Sequence, residues 1–258
     1  MSTRLYLTER AESGTPAPDA SWEDTGTFAR RTASLIPENT AFATSIPNAN
    51  GNANDDTLVR QYISPALDGA QTIGTGTFKG QMKWREPSVL NDSRTQIVVR
   101  VFQSDLSTVR GTLYAGDTGG LANEFSGTLT NRRIPRTAGS ALSSVSAQDG
   151  DFIVIEVGFR QHAARASTTN EVRVGTSDLV GDLPEDESTT ADLNPWVEFS
   201  EDFVFKPTDA AMRATNVIAE VLYAPDDADV MMRATSVIVE VLYLPGPDAP
   251  KTQVIWID

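Results

Sequence analysis

The sequence has no cysteine, and its 258 residues include one histidine, His162. Disulfide scaffolds, thiol nucleophiles and cysteine-bound zinc are thereby excluded, and imidazole chemistry is confined to a single position. Long apolar runs are missing too: nothing approaches the ~18 residues that suggest a membrane span. Met1–Arg10 lacks the basic start and apolar stretch of a signal peptide, so no secretory route is expected from it. Cations are in short supply, 21 Lys and Arg against 35 Asp and Glu, for a net charge of −14 and a pI near 4.5. A surface of that sign repels phosphate backbones and argues against a nucleic-acid partner. Gly74-Thr75-Gly76 lacks the lysine and following helix of a phosphate loop, and no Gly-x-Ser-x-Gly elbow occurs. No cofactor is implied. A chain of this length can bury about 70% of its unfolded surface, enough for a core without covalent staples.

What the chain does have is short apolar segments rich in β-branched residues and separated by turn residues. Arg4-Leu5-Tyr6-Leu7-Thr8 alternates as a strand, then runs into Gly14, Pro16 and Pro18, which interrupt regular structure. The Asn/Gly/Asp-rich stretch Ile46 to Asp56 reads as a turn. Residues 1–57 therefore read as an N-terminal arm lying over a neighbour or over the main body. From Leu58 the strand signals recur at short intervals: Leu58 to Ser64, Gln71 to Trp84, Thr95 to Ser104, Thr108 to Ala115, Asn123 to Thr130, Asp151 to Arg160 and Trp196 to Phe205. In the sixth, Ile153, Ile155, Val157 and Phe159 share one face and Phe152, Val154, Glu156 and Gly158 the other. No amphipathic helix competes. The pattern predicts an all-β fold, a jelly-roll-like antiparallel β-sandwich with its body over residues 58–206.

Residues 207–258 carry an internal repeat. Met212-Arg213-Ala214-Thr215-Asn216-Val217-Ile218-Ala219-Glu220-Val221-Leu222-Tyr223 returns twenty residues later as Met232-Arg233-Ala234-Thr235-Ser236-Val237-Ile238-Val239-Glu240-Val241-Leu242-Tyr243, ten of twelve positions being identical. A partial echo at 252–257 includes Trp256. Read as strands, one face presents Thr215, Val217, Ala219, Val221 and Tyr223 in the first copy, and Thr235, Val237, Val239, Val241 and Tyr243 in the second. With Trp256, all of these but Ala219 form the expected assembly interface. The copies either pair as a hairpin or add separately to equivalent sheet edges, and a recent duplication without functional meaning is the competing account. Such edges predict a homo-oligomer.

The repeat, with its Arg-x-Thr-x-x-x-x-Glu-Val-Leu core and proline-rich sequel, resembles the tails of structural proteins of tailed bacteriophages and prophages. The body resembles the same group through Arg60-Gln61-Tyr62-Ile63-Ser64-Pro65, Gly76-Thr77-Phe78-Lys79-Gly80-Gln81, Val109-Arg110-Gly111-Thr112-Leu113, Leu129-Thr130-Asn131-Arg132, Asp151 to Gly158, Asp182 to Glu187 and Asn194 to Ser200. The resemblance implies a non-enzymatic virion protein, made in the host cytoplasm and joined to copies of itself and to other virion proteins as capsid decoration, collar or tail component. It transfers no catalytic residues. The alternative is a receptor- or glycan-binding module on the particle surface.

Few residues invite chemistry. His162 follows a strong strand with no nucleophile in sequence context, so a solvated loop histidine is expected. Glu156 and Glu198 each lie mid-strand, where paired carboxylates could serve a glycosidase; solvent-facing strand glutamates are the plainer reading. The acidic run Asp178 to Asp192 departs from the spacing of a calcium loop, and no metal site is assigned to it. Trp22, Trp84, Trp196 and Trp256 could line a sugar-binding face, although scattered tryptophans in a sandwich are mostly core.

Overall fold

A computed structural model describes residues 2–26, 28–45, 54–86, 92–117, 124–135, 139–162 and 170–207. They are all-β: strands, turns and loops, with no helix among the described residues. The strands are β1 Thr3–Ala11, β2 Ala29–Ser34, β3 Ala43–Ser45, β4 Asp55–Ile63, β5 Gln71–Ile73, β6 Thr77–Arg85, β7 Ser93–Phe102, β8 Val109–Asp117, β9 Thr130–Arg133, β10 Ser140–Ala141, β11 Val145–Ala147, β12 Phe152–Gln161, β13 Glu171–Val174 and β14 Trp196–Phe199.

Hydrogen bonds link most of them into one sheet in the order β3-β13-β6-β14-β1-β2-β4-β12-β7-β8, with β9 and β10 also on β6 and a separate β5–β11 ladder. All pairs are antiparallel except β2–β4, which runs parallel. The sheet folds over on itself. Its two halves meet through Phe78 of β6 and Tyr114 of β8, with ring centroids 5.9 Å apart, and through Trp84 of β6 and Phe159 of β12 at 6.4 Å. Leu5, Leu7, Tyr62, Ile97, Val99, Val101, Ile153, Ile155, Val157, Val197 and Phe199 fill the space between, all buried. This is the sandwich that the alternating segments predicted, because each strand sends alternate residues to one shared interior.

The structure corrects several boundaries. Within residues 1–57, read as an arm over a neighbour or the main body, β1 is an interior strand between β14 and β2, and Met1–Lys206 form one compact unit. Covering the body falls to the β1–β2 connection, whose residues 12–26 and Phe28 lie on the outer side of β4, β12 and β7. Of the expected strand Asn123 to Thr130, residues 124–129 are loop; β9 begins at Thr130, and Phe125 in the preceding loop stacks on Trp84 at 4.9 Å. Gln71 to Trp84 breaks into β5 and β6 at Gly74, whose φ of 89° suits glycine and where a Cβ would lie 2.2 Å from the Ser143 carbonyl oxygen. The last body strand ends at Phe199 rather than Phe205. The repeats, and with them Thr215, Val217, Val221, Tyr223, Thr235, Val237, Val239, Val241, Tyr243 and Trp256, lie outside the described residues.

Candidate functional site

Two outward faces of the sandwich carry the charged side chains that the sequence singled out. On the first, Glu156 of β12 does not face solvent: it is fully buried beneath the β1–β2 connection. Its Oε2 accepts hydrogen bonds from the Trp22 indole at 2.8 Å and the Asp19 amide at 3.1 Å, and its Oε1 from the Gln61 amide at 2.8 Å and from Arg100. Arg100 also donates to the Ala17 carbonyl at 2.6 Å. A buried carboxylate is tolerable only with such partners. Here they fasten a loop to a sheet. Gly158 completes the fit, since a Cβ there would stand 2.0 Å from the Thr57 carbonyl oxygen and 2.7 Å from the Trp22 ring.

On the second face, pairing register builds a row. Glu198 of β14 lies opposite Arg4 of β1 on one side and Lys79 of β6 on the other, so cation, anion and cation succeed one another across three strands. Arg4 donates to Glu198 Oε2 through Nε at 3.0 Å and Nη2 at 2.8 Å, and to Asp182 Oδ2 through Nη1 at 2.7 Å. The Tyr6 hydroxyl donates to the same Asp182 oxygen at 3.0 Å. Lys79 Nζ stands 2.7 Å from Glu185 and 3.2 Å from Glu198. Beneath them, the Trp196 ring supports the Arg4 guanidinium at 3.9 Å and donates from its indole to the Leu183 carbonyl at 2.7 Å. Burial works against ionisation of Glu198, but the hydrogen bonds and charges of Arg4 and Lys79 outweigh it and hold the carboxyl below its ordinary range. Burial and the neighbouring Asp182 carboxylate push the Tyr6 phenol above its own.

Two clefts open on this row and share Ser2 in their lining. One, of about 390 Å³, is lined by Ser2, Thr77, Lys79, Gly139, Glu185, Glu198 and Ser200. The other, of about 520 Å³, is lined by Ser2, Thr3, Arg4, Tyr6, Leu35, Asp202, Phe203, Val204 and Phe205. Leu35 and Val204 are 43% and 57% exposed, which is high for large apolar side chains.

The remaining candidates separate. Glu156 and Glu198 are both on outward faces but are divided in the sheet by β1, β2 and β4; four strand spacings of ~4.8 Å put them roughly 19 Å apart along the sheet, against the ~5–9.5 Å of a glycosidase pair. His162 is half-buried at the end of β12, with its amide on the Asp92 carbonyl at 3.4 Å. The acidic run is a loop bonded to the sheet through Asp182, Glu185 and Asp192 and to itself around Asp186: despite burial, Asp186 is drawn down to about 2 by the Thr189 hydroxyl, the Asn131 amide and the amides of Thr189 and Ser188. Among the described residues no group of three acidic or histidine side chains is arranged to hold a metal ion. Trp22, Trp84 and Trp196 are all buried and form no open aromatic face; Trp256 lies outside the described residues. Of the row, only Glu198 was singled out from sequence. Arg4, Tyr6 and Lys79 were visible as polar positions of alternating strands, but their meeting depends on a register that joins residues far apart in the chain, Arg4 and Glu198 by 194 positions.

No protein-family model and no curated protein matches the sequence. Among solved structures, the chain is similar to a CocE/NonD family hydrolase from Staphylococcus aureus in two crystal structures. One matches with a TM-score of 0.44 and 9% identity over 78% of this chain and 36% of that one. The other gives 0.42 and 8% over 77% and 36%. The chain thus spans about a third of the length of the hydrolase it matches. Neither is a virion component, and the expectation of a bacteriophage structural protein on a virus particle is withdrawn on this finding.

Proposed function

We propose that Met1–Lys206 is a non-catalytic ligand-binding module and that its ligand is taken in the double cleft around Ser2. The row Lys79–Glu198–Arg4 carries this reading. Its side chains are pre-positioned by register and mutual hydrogen bonds, yet it lines open clefts in the size range of small-molecule sites. A general acid at Glu198 would need a raised pKa, whereas the two cations lower it. Fixed donors and acceptors on rigid strands suit recognition. Ligand-observed NMR with a fragment library tests the reading: binders should be found, and Lys79→Ala should abolish saturation transfer to most of them while the fold persists. Hydrolysis of ester, amide or glycoside substrates that disappears in Glu198→Gln would overturn it.

A further inference from the structure

We infer that the ligand of the double cleft is a neutral saccharide. This rests on the cleft being a binding site, and adds the chemistry of what fills it. Each lobe contributes a different half of what such a molecule offers. In the smaller lobe, the Lys79 ammonium stands between the carboxylates of Glu185 and Glu198, with the Ser200 hydroxyl on the same wall. Strong donors and strong acceptors therefore alternate within one hydroxyl's reach of each other. A sugar hydroxyl donates and accepts at once, so vicinal hydroxyls can bridge ammonium and carboxylate without breaking the ion pairs. In the larger lobe, exposed Leu35 and Val204 with Tyr6 offer an apolar wall for the C–H face of a ring.

Other ligand classes fit less well. Phosphates and acidic sugars meet Glu185, Glu198 and Asp202 in the cleft walls and the −14 charge of the chain. A simple cation meets carboxylates already occupied by Lys79 and Arg4. A wholly apolar ligand would take the row's charges out of water and offer no hydrogen bond in return. A neutral polyhydroxyl compound avoids all three conflicts.

The test uses the full chain on an array of neutral gluco-, galacto-, manno- and xylo-oligosaccharides beside their sialylated, uronic and sulfated counterparts. Titration calorimetry follows on whichever oligosaccharide is bound. The expected result is selective binding of one neutral series, weakened tenfold or more by Lys79→Ala and by Val204→Asp, with unchanged circular dichroism and melting temperature. Lys79→Arg should restore part of the affinity. Preference for the acidic counterparts, or neutral-sugar affinity unmoved in both variants, overturns the inference. If no saccharide binds while NMR fragments of another class occupy the cleft and depend on Lys79, the saccharide assignment falls and the binding-module reading stands. If neither saccharides nor fragments bind, both fall.

Discussion

The outer face over β12 and the outer face over β14 begin from the same ingredients and end differently. Each has a glutamate in mid-strand, an arginine that bonds it and a tryptophan nearby. Over β12 the β1–β2 connection closes down, and Glu156 becomes a fully enclosed anchor with donors on both oxygens. Over β14 the covering loop stops at Asp182 and Glu185, and Glu198 stays at the edge of a cleft. A residue's role is set here by what lies on top of it, not by its strand or its partner. Enclosed, the charge is structural; left ajar, the same charge is available to a ligand.

If that contrast is right, removing the two glutamates should have unequal consequences. Glu156→Ala strands Arg100 in a buried site and frees Trp22, so a loss of about 3–5 kcal/mol is expected by urea unfolding. Limited proteolysis should then cut first within residues 12–28. A change under about 1 kcal/mol, small beside such buried-pair losses, would show that the connection is not fastened there.

Glu86 sharpens the comparison from a third position. It is buried, it accepts the Ser93 amide at 3.0 Å, and its Oε1 has no partner among the described residues. Burial, with the nearby carboxylates Glu124 and Asp92, pushes its carboxyl up to about 7 against a weaker opposing pull from Ser93 and Arg132. Between its ordinary 4.5 and about 7, the folded chain binds this proton more tightly than the unfolded chain. The resulting stability is complete below 4.5 and is lost as the pH rises through about 7. The full change is on the order of 3 kcal/mol. Unfolding measured at pH 5 and pH 8 should show the decline, and Glu86→Gln should flatten it. An equal slope in the variant would assign the dependence elsewhere.

Smallest should be the effect at the open face. Arg4 and Glu198 are partly exposed, so their attraction is screened, and Glu198→Ala should cost about 1 kcal/mol or less in stability. A cost equal to that of Glu156→Ala would erase the distinction between the faces.

Much of this architecture was legible in the chain. The alternation of Arg4 to Thr8 and of Phe152 to Phe159 reports strands, and both segments are strands with their apolar face in the core, the first within the main sheet instead of an arm. β2 and β13 were not read, because Ala29–Ser34 and Glu171–Val174 are short and rich in polar residues; their strand character comes from the neighbours they bond. Asn123 to Thr130 was read as a strand among the recurring strand signals, but Phe125 reaches the core by stacking on Trp84 from a loop.

By itself, the sequence determined the all-β class, the apolar set of the interior and the absence of thiol chemistry, since these follow from residue type and local period alone. Only the tertiary structure decided which polar residues meet. Arg4 and Glu198 are 194 positions apart, Trp22 and Glu156 are 134, and no local period encodes such pairs. Register and strand order bring them together, and both are properties of the whole folded sheet.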